Sequence, residues 1–344
     1  NIKKTHIKIE ELLKKEGIAQ ISDLNGLSIS FSALLYQEDR DYLENLGDIV
    51  KDSELEFHLK LMNSEYEKVI KLIAENVERE SLIEYIINDY YFYDKRSGNH
   101  IYSEGVSKLS CELLEIERQD SVADFQLKNL NRLKHIVKDS EYEELIGYEY
   151  NMQNILIAKL KNHVLGNKVK IVQKNIYDKK IDIKYNKIFA PTRFNDFVSL
   201  EQLENIKETF PTASKLIVRN RNSWADVLLA FGSMKEDGKV VSIMSTGSLS
   251  SSSEKNIRKY FIDNEMVETI ITLPNGLLIG TSISTCIVVF SNNNQKINMI
   301  DASEIYTDVN RIEKTLSDSN IEEIINLIGR DTGNSKIIDR EKIK

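Results

Sequence analysis

Cysteine is nearly missing: Cys111 and Cys286 are the two thiols in 344 residues. Two cysteines cannot make a disulfide framework, and no Cys/His cluster has the spacing of a zinc site. Both read as buried thiols in a reducing cytoplasm. Proline occurs three times, at Pro191, Pro211 and Pro274, so collagen-like and proline-rich disordered classes are excluded and each proline is a positional clue. No apolar run approaches ~18 residues, so no membrane span is expected. The opening stretch Asn1–His6 has no initiator Met and no apolar signal core, so no signal peptide is expected. Positive charge is in deficit: Lys+Arg is 46 against 54 Asp+Glu, for a formal charge of −8. A chain this acidic lacks the overall footprint of a free-standing nucleic-acid binder, although a local basic patch or a basic partner subunit could still bring it to nucleic acid. What is present is 41% hydrophobic and 29% charged residues. That is enough for a sizeable core in one large or two ordinary domains.

The two parts of the chain have different hydrophobic grammar. Residues 1–100 read as a helical N-terminal domain. Ile9, Leu12, Leu13 and Ile18 recur at helical spacing, as do Leu55, Leu59, Leu61, Val69, Ile70 and Ile73, then Leu82, Ile83, Tyr85, Ile86 and Ile87. An aromatic knot and a Ser97-Gly98 turn close this part. Residues 101–310 alternate short apolar runs with helices. Strands are predicted at 120–125, 145–150, 169–175, 186–190, 239–245, 267–273, 284–291 and 297–302. Asn151 is placed to cap a helix that Gly166 stops, and Ser199 with Gln202 and Ser223 with Asp226 read as capping boxes. Gly238 reads as the stop of the helix that Ser223 opens. Ser253 is placed to open a further helix through Phe261. Strands separated by helices imply right-handed βαβ units and a mostly parallel sheet covered on both faces. The link between 267–273 and 284–291 has no helical pattern, so an antiparallel hairpin is expected there. Residues 311–344 read as a C-terminal helical segment, with one amphipathic helix over 317–328.

The block VETIITLPNGLLIGTSISTCIVVF over Val267–Phe290 is similar to the late-strand block of N6-adenine DNA methyltransferases, above all the modification subunit of type I restriction-modification systems. The helix-turn-strand over Leu229–Met244, the strand over Ile297–Ser303 and the segment through Ile337–Ile343 resemble the same family, as do residues 80–105. The resemblance implies a class I S-adenosylmethionine-dependent, Rossmann-like α/β domain with a terminal antiparallel hairpin behind a helical domain. It further implies S-adenosylmethionine as cofactor, and DNA with a specificity-type or restriction subunit as partners.

Family chemistry has three requirements. A glycine-rich turn, usually DPxCGSG, leaves room for the methionine end of the cofactor. An acidic residue ending the second strand accepts the ribose hydroxyls. An NPPF or NPPY motif holds the flipped adenine, its Asn and first Pro carbonyl accepting from the amino group while the ring stacks. In this chain the first site reads DFQLKNLN over Asp124–Asn131. Asp124 aligns with the motif's Asp, every glycine is gone, and Leu127, Lys128 and Asn129 project side chains where cofactor would lie. The acidic position is Glu149, and Asn175 stands where the family often has Asp. The adenine motif reads Ala190-Pro191-Thr192-Arg193-Phe194. Ala190 has no side-chain acceptor, so another group such as Asn186 or Asn195 would have to replace it. The opening block Ile101-Tyr-Ser-Glu104 keeps an aromatic and a hydroxyl without the family's proline.

The expected protein is therefore a methyltransferase-like fold with no intact catalytic set. Asp124, Glu149 and Asn175 are the residues that would hold a cofactor if any binding persists. It would act in DNA binding or complex assembly in the cytoplasm, with no metal and no membrane contact. Two alternatives remain: an active N6-adenine methyltransferase with a rerouted site, and a Rossmann-like module for another ligand.

Overall fold

A computed structural model describes residues 2–88, 101–178, 180–194, 196–279, 282–309 and 314–343. The aromatic knot and its turn lie outside the described residues. Helices α1 (Ile2–Lys15), α2 (Asp23–Glu38), α3 (Ser53–Asn76) and α4 (Arg79–Ile87) form the N-terminal layer. Helix α2 is its axis. Eleven of its residues are buried, including Ser28, Ser30 and Ser32. Two of these serines donate back to their own helix, Ser28 to Leu24 O at 2.6 Å and Ser30 to Gly26 O at 2.9 Å, so the polar groups enter the core already satisfied. Leu61, expected on the apolar stripe of α3, is instead exposed.

The α/β part holds α5 (Glu104–Leu114), β1 (Ser121–Asp124), α6 (Leu133–Asp139), β2 (Glu144–Glu149), α7 (Met152–Val164), β3 (Val169–Gln173), β4 (Tyr185–Phe189), α8 (Leu200–Thr209), α9 (Ser223–Gly232), β5 (Met234–Ser245), α10 (Lys255–Asp263), β6 (Val267–Thr272), β7 (Thr285–Phe290), β8 (Lys296–Asp301), α11 (Asp318–Leu327) and β9 (Ser335–Asp339). The nine strands lie in the order β9-β8-β6-β7-β5-β4-β1-β2-β3. From β3 through β5 all pairs are parallel. β7 is antiparallel to both β5 and β6, with Ile271 opposite Ile287, as the missing crossover helix requires. The hairpin link carries a short strand whose Leu278 pairs with Tyr102, and Ser103 N donates to Leu277 O at 3.0 Å.

Alternation along each strand sorts side chains into two cores. Ala123, Ile146, Ile188 and Val288 face a core completed by Trp224, Phe231 and Phe261. Their neighbours Val122, Leu145, Phe189 and Ile287 face a second core completed by Leu109, Leu133 and Ile324. A third core fills the helical layer and includes Leu156, Ile157 and Leu160 of α7, so that layer is seated on the α/β part through one helix of the sheet region. No described helix is long and apolar enough to cross a membrane.

Four expectations change. The segment 311–344 is not wholly helical: after α11 it supplies β9, which pairs antiparallel with β8 and closes that edge of the sheet. Gln202 does not reach back to complete a capping box. Ser199 Oγ accepts from Gln202 N at 3.1 Å, but the Gln202 side chain turns to Asp226 and Arg193. Helix α9 has Asn222 rather than Ser223 at its N-cap, and it ends at Gly232. Gly238, expected to stop it, lies inside β5. The Asn151 cap stands, with Asn151 Oδ1 accepting from Asn154 N at 3.1 Å, and Gly166 follows at φ +84°.

Candidate functional site

In open α/β sheets ligands bind beyond the carboxyl ends of strands, where the strand order reverses. Here that end is formed by β1 and β2 on one side and β4 and β5 on the other.

Asp124 is the last residue of β1 and Glu149 the last of β2. Between them runs the turn that carries no glycine. Lys128 and Leu130 nevertheless take left-handed backbone, at φ 48° and 67°. The turn thus keeps a backbone course that glycine adopts without penalty, at about 1–2 kcal/mol for each residue with a Cβ. The side chains fill what the glycines would leave open. Leu127 is fully buried, and a Cβ placed on Gly147 of β2 would lie 2.5 Å from its Cδ1. The single glycine of β2 therefore makes room for Leu127.

Asp124 does not face a cleft. Both it and Arg132 are fully buried, Arg132 Nε lying 2.9 Å from Asp124 Oδ2 and Nη2 lying 3.0 Å from Oδ1. Nη2 also donates to Gln126 O. Burial works against the Arg132 charge, and Asp124 more than offsets it, so the guanidinium's pKa lies above its ordinary value. Tyr102 covers the pair, its ring centroid 5.8 Å from Arg132 Cζ and 5.9 Å from Lys128 Nζ. Burial, reinforced by the Arg132 charge, lowers the Lys128 ammonium to about 8.

Glu149 is likewise occupied. Its Oε2 accepts from Lys128 N at 2.9 Å, and its Oε1 accepts from Tyr150 N and Asn151 N, both at 2.9 Å. Asn175, expected beside it, is turned to its own loop: its Oδ1 accepts from Tyr177 N at 3.1 Å and its Nδ2 donates to Asp178 at 2.5 Å. Ser103 Oγ, Ser107 Oγ, Arg132 Nη1 and both amide atoms of Asn131 are buried without a hydrogen-bond partner among the described residues, a demand that ordered water meets in folded proteins. S-adenosylmethionine would need the Asp124 side of the turn open and the Glu149 oxygens free for ribose. The residues as arranged do not fit it.

Beyond β4, Ala190 packs in the core with its carbonyl accepting from Ser242 Oγ at 2.6 Å. Thr192 is buried, with both its N–H and its hydroxyl donating to Ile243 O at 3.0 Å. Arg193 is not a free surface side chain. Its Nη2 lies 2.8 Å from Asp226 Oδ1 and 2.9 Å from Gln202 Oε1, Nη1 lies 2.8 Å from Asp196, and the guanidinium sits 3.7 Å over the Tyr177 ring. Asn222 Nδ2 ties the set together through Arg193 O at 2.6 Å and Asp226 Oδ2 at 2.8 Å. Burial opposes the Arg193 charge and Asp226 outweighs it, raising its pKa. Asn186 is no substitute for the missing Asn. It lies at the amino end of β4, where its Oδ1 accepts from Ser121 N and Lys235 Nζ, both at 3.0 Å. Asn195 lies outside the described residues. Among the described residues no group of His, Cys, Asp and Glu is placed to hold a metal ion.

Sequence reasoning missed Arg132 and Asp226. Arg132 stands among Asn129, Asn131 and Lys134 in NLNRLKHI and gave no local signal; Asp226 is a lone charge among apolar neighbours in SWADVLLAF. A charge so placed needs a buried partner, and that was the available signal.

A polar cleft of about 110 Å3 remains beside Arg193, lined by Phe194, Arg221, Asn222, Ser245, Ser248 and Glu254 among others.

The family model of the N-6 DNA methylases matches residues 80–344. A type I restriction enzyme methylase subunit, MjaVIII of Methanocaldococcus jannaschii, is 26% identical over 288 residues, 74% of this chain and 49% of that protein. The MpnII methylase subunit of Mycoplasma pneumoniae is 30% identical over 142 residues, 39% of this chain and 26% of that protein. The chain thus spans half or less of the length of these two relatives. Among solved structures, a type I restriction-modification methyltransferase subunit from Streptococcus thermophilus superposes with a TM-score of 0.74 at 18% identity, over 92% of this chain and 77% of that one. With the family's pattern running from the end of the helical layer through the last strand, this chain belongs to the N-6 DNA methylase family.

Proposed function

We propose that this chain is a methyltransferase-like subunit that neither binds S-adenosylmethionine nor transfers a methyl group. In this reading it serves in DNA binding or in the assembly of a type I-like complex with a specificity-type or restriction subunit. The observation that carries the reading is the buried Asp124–Arg132 pair. A bidentate ion pair with no solvent exposure occupies the turn where the family's cofactor enters, and opening it would strand two charges in the core. Glu149, spent on three backbone N–H groups, and Leu127, interlocked with Gly147, support the same reading. The loss of the Asn acceptor at Ala190 removes the group that would polarise an adenine amine. Kinship with methylase subunits of type I restriction enzymes supports the choice of partners.

Thermal unfolding with S-adenosylmethionine tests this. A native-state ligand present at a hundredfold excess over its dissociation constant stabilises by about 2.7 kcal/mol. The expected result is no shift at about 1 mM ligand and no tritium transfer to adenine-containing duplex. A stabilisation of that size would show that the cofactor binds, and methyl transfer would establish instead the divergent active enzyme.

A further inference from the structure

Strand β3 ends the sheet, with β2 on one side and no strand on the other. Along a strand each residue turns its N–H and its C=O to the same side, and successive residues turn to opposite sides. Lys174 N donates to Glu149 O of β2 at 2.9 Å, so Lys170 and Val172 face β2, while Val169, Ile171 and Gln173 face outward. Val169 is already answered. The Asn162 amide of α7 stands in for a neighbouring strand, its Nδ2 donating to Val169 O at 2.8 Å and its Oδ1 accepting from Val169 N at 3.0 Å. Ile171 and Gln173 have no such partner among the described residues, and neither is buried. Their N–H and C=O groups are thus held in strand geometry at an open edge.

The opposite edge of the sheet is closed differently. There Ile337 N of β9 donates to Asp331 Oδ1 at 3.0 Å, so a carboxylate of the chain itself covers the outward donor. The β3 edge carries positive charge instead. Lys168 precedes the strand, Lys170 lies in it and Lys174 follows it. Among the described residues the Lys168 and Lys170 side chains have neither an ion pair nor a hydrogen bond, and Lys174 Nζ donates to the neutral carbonyl of Lys180 at 2.6 Å. Lysines on an open edge oppose its pairing with a copy of itself, because like charges would meet across the new ladder. They leave the edge open to a strand of the opposite charge. We propose that the β3 edge takes up an extended acidic segment of a partner protein as an additional strand, with Ile171 and Gln173 supplying the backbone hydrogen bonds and the three lysines selecting glutamate and aspartate side chains. Such docking goes beyond the reading of this chain as a non-methylating subunit and is independent of whether S-adenosylmethionine binds.

The test is fluorescence anisotropy of two labelled short peptides titrated with the full chain, one alternating valine with glutamate and the other valine with lysine, together with residue-resolved amide hydrogen exchange. The acidic peptide is expected to bind at least about tenfold more tightly than the basic one. It should protect the Ile171 and Gln173 amides, which exchange freely without it, while the Lys170 and Val172 amides are protected throughout. Lys168→Glu combined with Lys170→Glu should reverse the peptide preference. Gln173→Pro removes an outward donor without taking a bond from the ladder, so it should weaken the acidic peptide at least about tenfold with little change in melting temperature. Absence of binding, equal affinity for the two peptides, a preference that survives the double lysine substitution, or binding that leaves Ile171 and Gln173 unprotected would each overturn the assignment. So would protection of those two amides that rises with protein concentration alone, which would put a second copy on the edge. Displacement of the acidic peptide by duplex DNA would overturn it too, by giving the lysines to phosphates.

Discussion

The two sides of the sheet's carboxyl end handle buried charge differently. Beyond β1 and β2, Asp124 meets Arg132 with both partners out of solvent, and Glu149 accepts from three backbone N–H groups. Beyond β4 and β5, Arg193 and Asp226 also pair, but Arg193 keeps 17% of its side chain exposed. The first pair is closed to water and the second is not.

The sharpest way to break this contrast is Arg132→Met. It leaves Asp124 buried and uncompensated, and should cost about 3–5 kcal/mol in urea unfolding. Adding Asp124→Leu should recover most of that, because an apolar pair of similar volume is close to neutral. Arg193→Met, on the partly open side, should cost less, about 2 kcal/mol, since water reaches what remains of the network. Equal losses at the two arginines would show that the two sides do not differ in closure.

Gly147→Ala should destabilise by about 1–3 kcal/mol by driving a Cβ into Leu127. In a Leu127→Ala background the same change should be nearly free, and additive effects in the double-mutant cycle would mean the two residues are not interlocked.

A further effect concerns pH. The folded-state pKa of Lys128 is lowered by burial to about 8, below its ordinary 10.5. Between those values the unfolded chain binds more protons than the folded one, so stability should rise as pH climbs from about 8 toward 10.5. Lys128→Met should remove that rise from a melting-temperature profile, and an unchanged profile would place the ammonium in solvent.

Much of the scaffold was legible. The eight predicted strands all exist within a few residues, because a strand buried on both faces leaves a short continuous apolar run, as Val122/Ala123 and Leu145/Ile146 do. The antiparallel β7 followed from a link with no helical pattern. The strand β9 was not legible. Its five residues alternate weakly, SKIID, and become a strand only because β8 presents an open edge.

At the candidate site the resemblance to the family's motifs singled out Asp124, Glu149 and the Ala190–Phe194 stretch, and against those motifs the sequence shows neither the glycines nor the Asn acceptor. It could not say where the replacing side chains point. Whether Lys128 or Arg132 would answer Asp124 and whether Arg193 would face water or Asp226 are matters of distances between segments far apart in the chain. Local propensity carries no information about such distances. They are fixed when the sheet closes and the cost of burying a charge selects which opposite charge must lie beside it.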